Sequence, residues 1–315
     1  MDRKEFIEVL VKATQVIDIG IKKEYFKAED KDRLHDILLG IIKRGIKYDI
    51  PGNAIYGYYS TENNDLHFNH KVFKSEMEAL IYSIHEIKHA LDDFGERIGF
   101  EDEITHEGVG RNEGATQRFA TDMAEEILGE KIEPTVQKSL GISLLTNLDE
   151  YQLEDRMNEL FCKAIGISRA DFLRMQNSQD VQEFNEIKRK FNEHASFDIF
   201  SKALDGIYSI QTETWFDENG NFLEKEKEAT PEQTARAMYL ISQCQHEITQ
   251  FIEKTNPEML TDIQKEFIST DRNQLITEAV SLTETSTNIT DITHQKSELT
   301  GNKENSRTDV GEQQY

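Results

Sequence analysis

Apolar residues recur every three or four positions along most of this chain, and every second position only briefly. Phe6, Leu10, Val11 and Val16-Ile17 fall on one side of a helix predicted over residues 2–18. Leu34, Ile37, Leu38, Ile41 and Ile42 make an i, i+3, i+4 stripe that predicts a second helix over about 29–44, stopped by Gly45. The period then shortens. Ala54 to Ser60 is β-branched and aromatic, Glu62-Asn63-Asn64-Asp65 is a turn cluster, and Leu66 to His70 alternates, so residues 54–70 read as a β-hairpin. Met77, Leu80, Ile81, Ile84, Ile87 and Leu91 restore the helical period and predict a buried helix over about 74–94. Lys88 is the one charged residue on that face. Ser75 and Glu78 suit a capping box at the start, and Gly95 lies near its end.

A polar loop from Glu96 to Arg111 leads to another helix, with Asn112 as the expected N-cap. After Gly129 the pattern reads as all-helical, with helices expected over about 150–165, 168–176, 180–193 and 197–210. Trp215 to Phe222 reads as a turn between short extended pieces. Thr230-Pro231-Glu232-Gln233 is a helix start with Thr as cap and Pro at the first position, and that helix should run to about 254. One or two more are expected over 257–281. The fold class expected is α+β, predominantly helical. Residues 1–129 should form the core and 130–282 a helical subdomain completing a cleft. Residues 283–315 are rich in Thr, Ser, Asn, Gln and Glu and are expected to be a disordered polar tail.

Charge narrows the function. Asp and Glu outnumber Lys and Arg 60 to 36 in 315 residues, a formal net charge of −24. Such a field repels phosphate backbones, so nucleic acid is not the expected partner. No apolar run approaches a membrane span, and the segment from Met1 is charged and amphipathic rather than a signal peptide. Cys162 and Cys244 are the only cysteines, read as reduced helix-core residues in a cytoplasmic protein.

The chemistry gathers at Ile84-His85-Glu86-Ile87-Lys88-His89. Residues four apart on a helix project from one face, so His85 and His89 can hold one ion while Glu86 reaches a water on it. Two imidazoles and an acid/base carboxylate in H-E-x-x-H order form the zinc-metalloprotease arrangement. A catalytic zinc needs a third protein ligand and an open position. His106, Glu107 and Glu113 follow the motif. Glu113 is favoured: it opens a helix, and Gly114 and Ala115 are small enough for that helix to approach the motif helix. Gln117, one turn on, is a candidate to orient a ligand histidine, with an exposed polar role weighed equally. His67 and His70 on the hairpin read as exposed strand-end residues.

The motif followed by Asn112-Glu113-Gly114-Ala115-Thr116 resembles the gluzincin metallopeptidases. Glu113, Gln117 and Phe119-Ala120 also resemble the third-ligand helix of the ImmA/IrrE regulatory metallopeptidases, with Gln in place of Asn. The resemblance covers roughly residues 50–128. It implies a zincin-like core in which a hairpin strand lines the cleft, zinc held by His85, His89 and Glu113, and Glu86 as general base in peptide-bond hydrolysis. It also implies a donor for the oxyanion: His106 is the first candidate, with Tyr151 and Tyr208 behind it. The partner expected is a peptide or protein substrate. The rival reading is a regulatory interaction protein whose metal site is structural or vestigial.

Overall fold

The computed structural model describes residues 1–50, 56–217, 223 and 227–269. Met1–Ile268 form one compact unit. Helices α1 (Arg3–Ala13), α2 (Val16–Lys22) and α3 (Lys31–Arg44) lead to the antiparallel hairpin β1 (Gly57–Ser60) and β2 (Asp65–Phe68). The motif helix α4 (Glu76–Leu91) follows, then the short pair β3 (Arg97–Ile98) and β4 (Glu101–Asp102), and then α5 (Val109–Leu128). A third hairpin, β5 (Thr135–Ser139) and β6 (Ile142–Thr146), precedes α6 (Gln152–Ile165), α7 (Arg169–Gln176), α8 (Gln182–Asn192), α9 (Phe197–Glu213), α10 (Pro231–Thr255) and α11 (Leu260–Gln264). Among the described residues the architecture is predominantly helical α+β with two-stranded sheets, as the periodicity predicts.

α4 is buried on nearly every side, as its apolar sequence requires. It packs against α1, α3, α5 and β1, which makes it the central element of the N-terminal part. α5 in turn packs against α6 and α9, so the expected division at 129/130 falls inside one packed unit. The helical half has an aromatic core. Phe161 stacks on Phe200 with ring centroids 5.0 Å apart, and Phe191 on Phe251 at 5.0 Å. Cys162 and Cys244 are buried there as free thiols.

Local chemistry sets several helix starts as expected. Thr230 Oγ1 accepts from the Gln233 N–H at 3.2 Å while Gln233 Oε1 accepts from the Thr230 N–H at 2.9 Å, with Pro231 at the first position. Ser75 caps α4 through the Glu78 N–H at 3.1 Å, but Glu78 Oε2 takes the Lys74 N–H instead of closing the box.

Four expectations are corrected. The helix predicted over 2–18 breaks at Thr14-Gln15, where the chain turns from α1 to α2. Asn112 is not a cap: α5 starts at Val109 behind Gly108, whose left-handed φ of 91° ends the preceding loop. Residues 135–146 form a hairpin rather than helix. Leu140 and Gly141 both have positive φ, 50° and 79°, as a tight two-residue turn requires. Ile142, Leu144 and Thr146 point inward while Ser143 and Leu145 face solvent, the period-two pattern of a half-buried strand. His67 is buried, 2.7 Å from Asp49 and 2.9 Å from Asp65, beneath the ring of Tyr58. Pro51 to Ile55, residues 218–222 and the tail 283–315 lie outside the described residues.

Candidate metal centre

The two histidines of α4 and Glu113 of α5 converge. His85 Nε2 lies 3.0 Å from His89 Nε2 and 3.1 Å from Glu113 Oε2, and His89 Nε2 lies 3.4 Å from Glu113 Oε1. Among the described residues this is the one group of three or more His, Cys, Asp or Glu side chains close enough to share an ion. The spacing fits the metal that the motif implies. A tetrahedral zinc with bonds of about 2.0–2.1 Å sets its ligand atoms about 3.3–3.4 Å apart. Two imidazole lone pairs at such separation, facing a carboxylate, call for a cation or proton between them.

The partners of these groups prepare them for that role. His85 Nδ1 is 2.8 Å from Gln117 Oε1, so an N–H donated there leaves Nε2 as the free ligand atom. Gln117 is 1% exposed, so it sits in the core against the His85 ring and not on the surface. Burial opposes the charge on His89, but Glu113 overrides it and raises the imidazole to about 9. Burial likewise opposes ionisation of Glu113, yet His89 and His85 hold its carboxyl far below the usual range. The cluster therefore keeps an ionised carboxylate facing two imidazoles.

Glu86 sits beside this cluster, 8% exposed. Burial pushes its carboxyl above the ordinary range, while His85 and His89 pull it down. The nearby backbone of Tyr59 in β1 also favours the ionised carboxylate. The hairpin thus reaches Glu86 itself, not merely the motif helix.

Tyr151 and Tyr208 both come to the site. Tyr151 precedes α6 in the left-handed conformation, φ 54° and ψ 32°, which costs a tyrosine about 1–3 kcal/mol. Its ring stacks on His85 at 5.7 Å and on Tyr208 at 6.1 Å, with Trp215 edge-on at 6.1 Å. Glu113 and Glu86 are close enough to Tyr151 to raise its pKa further above the level set by burial. His106 is elsewhere in character: its side chain is 69% exposed and its Nδ1 is 2.7 Å from Glu101 Oε1. Glu101, half-buried on β4, feels both Glu113 and His89 and stands between His106 and the cluster. Nothing in the sequence marks Glu101 among so many acids. His70, packed near Phe6 with Nδ1 3.2 Å from the Met1 carbonyl, takes no part.

Gly114, expected to let α5 approach α4, faces α6 instead. A Cβ there would lie 2.8 Å from Asp155 N and from Glu154 Cβ. That close approach buries Glu154 completely, with neither carboxylate oxygen bonded to another described residue. Burial pushes its pKa up to about 8, and Glu113 adds to the effect. The folded value exceeds the ordinary 4.5, so the folded state holds a proton that the unfolded state releases. Stability is then highest below pH 4.5 and declines through pH 8, by about 5 kcal/mol in all from this group. Glu154→Met should flatten that decline and raise the melting temperature at pH 8.5 more than at pH 5. An unchanged pH slope in thermal melts would show that Glu154 is not held protonated.

Compared with known family models, with curated proteins and with solved structures, the chain matches none.

Proposed function

We propose that this chain is a zinc-dependent metallopeptidase of the gluzincin type, with a zincin-like core built from β1, β2, α4 and α5. One observation carries the reading: His85, His89 and Glu113 converge from two helices with ligand-like spacing while Glu86 stands beside them. Zinc, when bound, lowers the pKa of a coordinated water to about 7 and polarises a carbonyl oxygen.

The protein's own groups do the rest. Glu86, beside the Tyr59 backbone, accepts the proton of the attacking water and later delivers it to the leaving amine. Burial raises the Glu86 carboxyl above the ordinary range, which helps it hold the proton between the two transfers. Gln117 fixes the ring of His85. Tyr151, rather than exposed His106, is the donor to the oxyanion, and its left-handed backbone aims the ring at the cluster. Free, buried Cys162 and Cys244 suit a reducing, cytoplasmic setting, and the substrate is a peptide or protein.

The test is cleavage of a pool of unstructured peptides, read by mass spectrometry. Cleavage should stop with a chelator and return with added zinc; cleavage indifferent to both would overturn the reading. Tyr151→Phe should lower kcat by about 10²–10³ while KM holds. A wild-type kcat in that variant would remove Tyr151 from the mechanism.

A further inference from the structure

A buried polar junction lies on the ligand helices, away from their metal-facing atoms. Its hub is Gln176, the last residue of α7 and 0% exposed. Gln176 Nε2 donates to the Asn112 carbonyl at 3.2 Å, to Asn112 Oδ1 at 2.9 Å and to Thr116 Oγ1 at 2.9 Å. Gln176 Oε1 accepts from Lys88 Nζ at 3.1 Å, and Lys88 also pairs with Asp92. Lys88 adjoins the ligand His89, and Asn112 adjoins the ligand Glu113. One amide therefore bonds to the sequence neighbour of a ligand on each helix.

The surroundings leave this amide little freedom. Asn112, Thr116 and Lys88 are each fully buried. Asn112 Oδ1 also accepts from the Phe100 N–H at 3.0 Å. At Gly99, φ is +57° and a Cβ would meet Asn112 Oδ1 at 2.2 Å and Gln176 Cγ at 3.0 Å, so the loop closes over the junction only with glycine there. In so dry a place a lost partner leaves an ammonium or an amide unsatisfied, and the helices must shift to restore bonding. Zinc–ligand bonds are held within about 0.2 Å of their ordinary lengths, so a shift of either helix disturbs the site.

We propose that Gln176 is a positioning residue for the metal centre, clamping α4 to α5 so that His89 and Glu113 share one ion. This role rests on the metallopeptidase reading. It makes metal affinity depend on the helical half of the chain, 63 residues beyond Glu113.

The experiment uses the full chain loaded with cobalt(II) for its visible absorption band, and zinc titration against a chromophoric chelator. Gln176→Glu keeps the size and the acceptor for Lys88 but brings a carboxylate against the Asn112 and Thr116 oxygens. Gln176→Glu and Gln176→Leu should each weaken zinc binding about 10–100-fold and alter the cobalt band. Thr116→Val, a milder change, reports the same direction if those variants do not fold. Asn177→Ala removes the neighbouring bond to the Tyr25 carbonyl and should lower the melting temperature with affinity and band unchanged. Folded Gln176 variants with wild-type affinity and band would reduce the residue to packing and overturn the role. A wild-type chain that binds neither metal would instead overturn the metal centre itself, and this role with it.

Discussion

The wild-type chain is expected to purify with about one zinc and Glu113→Ala with none. Three side chains define the candidate centre, and Glu113 supplies the anionic one. Its two oxygens reach one histidine each, 3.1 Å to His85 and 3.4 Å to His89. Removing the carboxylate leaves two neutral imidazoles, too few ligands for a stable zinc site. It also removes what raises His89 to about 9 in the metal-free protein, so that imidazole becomes easier to deprotonate. The variant's loss of metal should therefore persist even at alkaline pH, where proton competition is absent. Plasma mass spectrometry on both proteins, prepared without chelators, decides the matter. Stoichiometric zinc in the variant would exclude Glu113 as a ligand; none in the wild type after zinc add-back would exclude the centre.

Glu86→Gln should separate binding from chemistry. The amide matches the carboxylate in shape and keeps an oxygen toward the Tyr59 backbone, so zinc content should stay at the wild-type level. It cannot accept a proton at neutral pH. Peptide hydrolysis should fall by about 10²–10⁴. Glu86 is nearly buried, so no exposed carboxylate can readily replace it. Measured side by side, full metal with lost turnover assigns Glu86 to proton transfer. Near wild-type turnover would mean that the proton goes elsewhere and the mechanism fails.

What could be read in advance differs from residue to residue for physical reasons. His85, Glu86 and His89 are linked by helical geometry alone, and any helix through them puts both imidazoles on one face. Glu113 required only that the next helix fold back across α4, which the long polar loop between them allows. Tyr151 was a weak candidate because its importance rests on a left-handed backbone and a ring stack with His85, neither of which has a local signature. The hairpin at 135–146 was missed because Leu140-Gly141 lacks the usual Asn-Gly of a tight turn, although the strand alternation was present.

The small residue at Gly114 shows the limit most clearly. Its absence of a Cβ announces a close approach, but not by which helix. Packing assigns it to α6, and thereby buries Glu154. Gln176 carries no signal at all: it is one glutamine at the end of a short helix until three chain segments meet around its amide.

By itself, then, the sequence determined the helical class, the hairpin before the motif helix, several caps and the identity of the converging trio. These depend on periodicity and on neighbours within a few residues. Only the tertiary structure decided which face Gly114 serves, where His106 and Tyr151 stand relative to the trio, and what clamps α4 to α5. Those depend on which distant surfaces exclude water together, and that choice is made by the whole packed chain.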